Sequence, residues 1–141
     1  MEAIIGQEFS KKVIPIIDAS RHNIRIVVFD WRWYENDPAN PVQLFNASIV
    51  RAVKRGVKVR VIGNCDAVLA TLRSVGCDAR KVVSKKLVHA KMIIVDDSSV
   101  ILGSHNFTQS AFTMNQEVSM YLPDCEEAPR LILFYDNLWL N

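Results

Sequence analysis

The chain has 141 residues, half of them hydrophobic and 23% charged, with a formal net charge of +2. That is the composition of one ordinary globular domain with enough chain to bury a core, and no internal repeat or low-complexity segment interrupts it. The charge permits a nucleic-acid partner but is too small to argue for one.

The opening MEAIIGQEFSKK has Glu2 where a signal sequence would be basic, and its apolar stretch is too short for a signal peptide or a membrane span. The chain reads as cytoplasmic, as would one whose signal peptide had been removed, and no membrane attachment is expected. Residues 7–19 follow a helical period, with Phe9, Val13, Ile16 and Ile17 on one face, and Pro15 is expected to kink or shorten that helix. IRIVVFD at 24–30 reads as a buried strand. Asn40 as cap and Pro41 at the first helical position open a helix over 41–55, with Val42, Phe45, Ile49, Ala52 and Val53 as its apolar face and Gly56 as its stop. VKVRVIG at 57–63 alternates as a strand, residues 66–75 form a short helix before Gly76, and CDARKVV at 77–83 is a weaker strand. QEVSMYL at 116–122 is a further strand. Residues 126–140 close with a helix expected to face inward through Leu131, Phe134 and Leu138. Alternating helices and strands followed by a strand meander predict a single α/β domain over residues 1–141, with a mixed sheet and helices on both faces.

The three cysteines, Cys65, Cys77 and Cys125, are odd in number and have neither CxxC spacing nor metal-ligand spacing to a histidine. They read as buried thiols in a reducing compartment, and no zinc site is expected.

The informative stretch is HAKMIIVDDSSVILGSHN, from His89 to Asn106. Two β-branched runs flank the turn-forming cluster Asp96–Ser99, which predicts an antiparallel hairpin. A turn centred on Asp97 and Ser98 would set His89 opposite Asn106 and Lys91 opposite Ser104, with all four side chains on one face at one end. That convergence depends on the register, since a one-residue slip sends side chains to the other face. An uncharged imidazole is a nucleophile near neutral pH. The ammonium, hydroxyl and carboxamide around it are donors suited to an anion that gains charge as it is attacked, such as a phosphodiester. Asp96 has the opposite parity to His89 and reads as a structural carboxylate that fixes the turn. His105, between Ser104 and Asn106, should face the other side of the sheet as a packed structural histidine, and His22 reads as a surface residue in a loop.

The series His89-x-Lys91-x4-Asp96-x6-Gly103-Ser104-x-Asn106 resembles the HKD motif of the phospholipase D superfamily, including its downstream Gly-Ser-x-Asn. Glu117 stands where that family often places an acidic partner for the histidine. The specific part of the resemblance covers residues 89–117, and the order of elements fits across the whole chain.

The resemblance implies an α/β/α sandwich. It also implies a reaction in two displacements, in which one histidine attacks phosphorus to form a phosphohistidine. A second histidine protonates the leaving oxygen and then activates water. One motif supplies one histidine, so an active chain is expected to pair as a homodimer with His89 from each copy. Lys91 would neutralise the phosphate oxygens, Ser104 and Asn106 would donate to them, and Glu117 would hold the second nitrogen of an imidazole, its own or the partner's. Lysines do the charge work, so neither metal nor cofactor is expected.

Small single-motif members of the family are mostly nucleases, which implies a metal-independent endonuclease acting on DNA or RNA. Lys85 and Lys86 precede the hairpin, with Arg80 and Lys81 upstream, and a basic approach suits a polyanion. Trp31, Trp33 and Tyr34 in the loop DWRWYENDPANP could stack on bases, pack at a dimer interface or dip into lipid, and Arg32 could meet a phosphate. Arg51, Lys54, Arg55, Lys58 and Arg60 cluster near a helix end, where the helix dipole explains part of their presence. Two rival functions stand beside the nuclease. One is hydrolysis of a phospholipid or other small phosphodiester. The other is a non-catalytic nucleic-acid-binding module.

Overall fold

Start and stop signals in the sequence set most element boundaries in the computed structural model, which describes all 141 residues. Asn40 caps α2 (Pro41–Lys54) by accepting the Val42 N–H at 2.9 Å, with Pro41 in the first turn as expected. Gly56 and Gly76, at φ +93° and +107°, end α2 and α3 (Asp66–Ser74) in the left-handed region that favours glycine. Helix α1 (Glu8–Asp18) runs through Pro15 to its expected end, and the Pro15 carbonyl accepts the Ala19 N–H at 3.0 Å.

Seven strands form one mixed sheet in the order β1-β7-β6-β5-β2-β3-β4. They are β1 (Glu2–Ile5), β2 (Asn23–Val27), β3 (Lys58–Ile62), β4 (Asp78–Arg80), β5 (Met92–Val95), β6 (Ser99–Gly103) and β7 (Val118–Leu122). Strands β2, β3 and β4 are parallel and joined by the crossover helices α2 and α3, while every other pairing is antiparallel. Two elements have no counterpart in the sequence reading, β1 and the short helix α4 (Gln109–Thr113). The fold is the expected α/β/α sandwich, with unequal layers. Helices α1 to α4 cover one face and share with the sheet a core of 26 buried residues, including Phe9, Phe45, Phe107 and Phe112. The other face carries α5 alone (Ala128–Trp139), over a core of 8 buried residues that includes Val27, Ile62 and Ile94.

Helix α5 packs on the sheet with Leu131 and Leu138 partly buried against the core as expected, but its deepest face is turned away from Phe134. Ala128, Tyr135 and Trp139 are buried, whereas Phe134 is 48% exposed. Apolar residues surround this helix, so its own pattern does not select a face. The stack of Tyr135 on Trp139 and the Arg80 guanidinium 3.7 Å above the Trp139 ring select it. Cys77 is buried, and burial pushes its thiol up to about 12. Cys65 and Cys125 are only half-buried, and all three cysteines are free. No helix is long and apolar enough to cross a membrane.

Candidate active site at the open end of the hairpin

The hairpin forms, but in a different register. Met92 pairs with Leu102 and Ile93 with Ile101, so Lys91 lies opposite Gly103 rather than Ser104. The reason is the turn. Asp96 and Asp97 both adopt positive φ, 53° and 59°, and the Ser98 N–H donates to the Val95 carbonyl at 3.2 Å. The reversal therefore centres on Asp97 alone, which shifts the pairing by one residue from that of an Asp97–Ser98 centre. The expected cross-strand facing of His89 with Asn106 and of Lys91 with Ser104 does not occur. Residues 89–91 precede β5 and residues 104–106 follow β6, so the motif side chains stand on irregular chain beyond the strand ends.

Three local clusters gather there. In the first, the Lys91 ammonium lies 3.0 Å from Nδ1 and 3.3 Å from Nε2 of His89. The imidazole packs against the Phe29 ring at 4.8 Å between centroids. Partial burial holds Lys91 below the usual lysine range, and the Glu117 carboxylate partly offsets this. In the second cluster, the Ser104 hydroxyl donates to Glu117 Oε1 at 2.5 Å and accepts the Val118 N–H at 3.0 Å. Asn115 donates its amide to Glu117 Oε2 at 3.1 Å. In the third, Asn106 Oδ1 accepts the Asp30 N–H at 3.0 Å, which leaves its amide N–H groups as donors.

The end of β2 ties the clusters together. Phe29 touches His89, and Asp30 holds Asn106. The Phe107 N–H donates to the Asp30 carbonyl at 3.0 Å, and the Arg32 N–H donates to the Phe107 carbonyl at 3.0 Å. Phe29, Asp30 and Asn115 escaped sequence reasoning. For the first two the signal was their place at the carboxyl end of a parallel strand, where such sheets gather ligand contacts. Glu117 makes no hydrogen bond to His89 of its own chain and is engaged by Ser104 and Asn115 instead. His89 itself is exposed, so the site is open on one side.

The supporting residues have clear structural tasks. The Asp96 carboxylate accepts the backbone N–H groups of Arg21, His22 and Asn23 at 2.7 to 3.2 Å, which ties the turn to the start of β2. A Cβ on Gly103 would lie 2.4 Å from the Ser119 Cα, so only glycine lets β6 and β7 approach here. His105 is buried, with Nδ1 2.8 Å from the Ser119 hydroxyl and Nε2 2.9 Å from the Gly6 carbonyl, and its ring packs on Phe9. Its position as a packed histidine is the expected one.

The residues read as substrate contacts divide. Trp31 is 3% exposed and donates its indole N–H to Asn46 at 2.7 Å, so it is a core anchor and presents no stacking face. Arg32 is exposed but pairs with Asp30 at 3.0 Å. Trp33 is half-buried on the wall of the largest cleft. Lys85 and Lys86 are exposed on the loop leading to His89, while Lys81 upstream pairs with Asp66 at 3.7 Å. The remaining basic cluster is partly structural, since Arg51 pairs with Asp18 at 3.0 Å and Arg55 donates to the Ile17 carbonyl at 2.9 Å.

The family model described as "Cardiolipin synthase, PLD-like domain" matches residues 13–139. Among curated relatives, mouse mitochondrial cardiolipin hydrolase is 32% identical over 92 residues, covering 61% of this chain and 42% of that protein. A phospholipase D of Rickettsia conorii is 33% identical over 106 residues, covering 70% of this chain and 50% of that protein. The chain spans less than two thirds of the length of these curated relatives. Among solved structures, Nuc from Salmonella typhimurium, a phospholipase D family member, superposes with a TM-score of 0.81 at 23% identity, covering 98% of this chain and 93% of the other. NucT from Helicobacter pylori gives 0.79 at 21% identity, covering 98% and 94%. The fold, the spacing of the motif and the family match agree, and the chain belongs to the phospholipase D superfamily.

Proposed function

We propose that the chain is a phosphodiesterase that cleaves nucleic acid, DNA or RNA, as an endonuclease through a phosphohistidine. The observation that carries the phosphohistidine step is the exposed His89 imidazole with the Lys91 ammonium 3.0 Å away and no carboxylate bonded to the ring. Lys85 and Lys86, exposed on the loop before it, support a polyanionic substrate. His89 attacks phosphorus, and the oxygen displaced takes its proton from a second imidazole. Lys91 and the free amide N–H groups of Asn106 stabilise charge on the phosphate oxygens. Ser104, with its hydroxyl proton directed at Glu117, reaches the phosphate only after that bond rearranges. Lys91 supplies the positive charge, so the reaction is assigned as metal-independent.

The second imidazole comes from a second copy, because the chain has one such histidine. An apolar surface beside the site suits that pairing. Leu102, Leu131 and Phe134 line two adjoining shallow cavities of about 380 and 520 Å³, and Lys91 and Gly103 stand at the rim of the first. In the dimer, Glu117 is assigned to the imidazole of the other copy. Free cysteines support a reducing, cytoplasmic setting.

A second reading, hydrolysis of a phospholipid diester, draws support from the names of the sequence relatives, mitochondrial cardiolipin hydrolase and phospholipase D. The test sets wild type and His89→Ala side by side in EDTA, on labelled single-stranded and duplex DNA and RNA and on phospholipid vesicles. Cleavage of nucleic acid by wild type alone is expected, with a loss of at least about a thousandfold in the variant. Turnover of vesicles alone would establish the lipid reading. Binding of nucleic acid without turnover would establish a non-catalytic module.

A further inference from the structure

The largest cleft of the molecule shares the chain around Asp30 with the candidate site, and its lining carries more negative than positive charge. It measures about 560 Å³ and lies between the loop after β2, the first turns of α3 and the start of α4. Asp30 belongs both to its wall and to the site, through the N–H it donates to Asn106. Thr108, two residues beyond Asn106, lines the cleft as well. Asp30 and Thr108 are thus the two links between this cleft and the chain that carries Asn106.

The charge of the lining selects the occupant. Asp30 and Glu35 bring two carboxylates, and the single guanidinium, Arg32, is already paired with Asp30 at 3.0 Å. A second phosphate would meet net negative charge there. An uncharged planar ring would meet the half-buried Trp33 indole, the Gln109 amide and the Ser110 hydroxyl. Of the aromatics in the loop, Trp31 is sealed in the core, and the Tyr34 hydroxyl accepts the Gln109 N–H at 3.1 Å, which pins that ring to α4. Trp33 packs in part against the main core but makes no hydrogen bond through its indole N–H, so its exposed part is the aromatic surface the cleft offers.

We infer that this cleft is a nucleobase subsite, in which Trp33 stacks on the base of a nucleotide flanking the scissile phosphate while the backbone stays outside. The inference rests on the nucleic-acid reading of the site. Its test crosses two enzymes with two substrates. Wild type and Trp33→Ala are compared on one oligonucleotide with intact bases and on a second that carries abasic positions around the cleaved bond. Stacking of one base on an aromatic ring contributes enough that kcat/KM of wild type should fall about five- to 150-fold on the abasic substrate. Trp33→Ala should lose a similar factor on the intact substrate and lose little further on the abasic one. Trp33→Phe should restore the base dependence, and thermal melting of each variant separates stacking from misfolding. Equal losses on both substrates, or none on either, would overturn the subsite. Failure of wild type to cleave either oligonucleotide while it hydrolyses vesicles would overturn the nucleic-acid reading instead.

Discussion

At the scale of single residues, the sequence was most legible where chemistry and spacing coincide. His89, Lys91, Asn106 and Glu117 could be named because their types suit one reaction and their spacing matches one motif. Asp96 was legible as structural, although its partners were not. Its carboxylate holds three backbone N–H groups more than 70 residues away in sequence, and no local pattern announces such a contact. Trp31 and Trp33 could not be told apart, since both are aromatics in one loop. The Asn46 side chain, reaching from α2, and the Phe45 and Phe107 rings hold Trp31 inward. His105 carries a prediction at this scale. Burial holds its pKa below the ordinary 6.5, opposed by the Gly6 carbonyl and by the Glu117 carboxylate. A histidine with a depressed folded pKa contributes stability that is fully present above about 6.5 and is lost as pH falls toward the folded value, because the unfolded chain takes up its proton first. Melting temperature is therefore expected to drop between about pH 6.5 and pH 5 in wild type. His105→Gln should start lower and change less over that range. Parallel slopes for the two proteins would remove His105 as the cause.

At the scale of elements, helices with caps and strands with strong alternation were found close to their true limits. The failures share one cause, which is that partners distant in sequence made the choice. Strand β1 is four residues long and exists because β7 offers it an edge, from Glu2 opposite Tyr121 to Ile5 opposite Val118. The hairpin register depended on whether Asp96 would enter the left-handed region, and the N–H groups of residues 21–23 hold its carboxylate where it does. The site survives the changed register because its side chains sit past the ends of β5 and β6, where pairing no longer dictates direction. Helix α5 buries Leu131 and Leu138 in part as expected, but Phe134 was misplaced because Leu131, Ile132, Leu133, Phe134 and Tyr135 form an apolar run that wraps around the helix. Its true orientation leaves Phe134 48% exposed beside Leu102 and Leu131. If that surface is where two copies meet, Phe134→Glu should weaken association at least roughly tenfold while leaving the melting temperature of the monomer unchanged. Sedimentation across a concentration series measures the first quantity and calorimetry at low concentration the second. A dimer as tight as wild type would move the contact elsewhere.

At the scale of the whole molecule, unequal layering and an incomplete site point to the same missing surface. Four helices cover one face of the sheet and a single helix covers the other, so apolar side chains stay open next to Lys91. In the proposed mechanism the exposed imidazole works with a second one across the phosphate, and a copy of the same chain related by a two-fold axis would supply that imidazole and cover the adjoining sheet face. Dimers of independent sites and dimers with one shared site then differ in a simple mixing experiment. Wild type and His89→Ala are unfolded together in equal amounts and refolded, so that subunits pair at random. If each chain works alone, the mixture keeps about half the activity of the same mass of wild type. If both imidazoles serve one phosphate, only dimers of two wild-type chains turn over, and about a quarter remains. The quarter is the expected result. A value at one half would leave the dimer intact as an assembly but give His89 no counterpart from the second copy, and the proton for the leaving oxygen would have to come from within one chain.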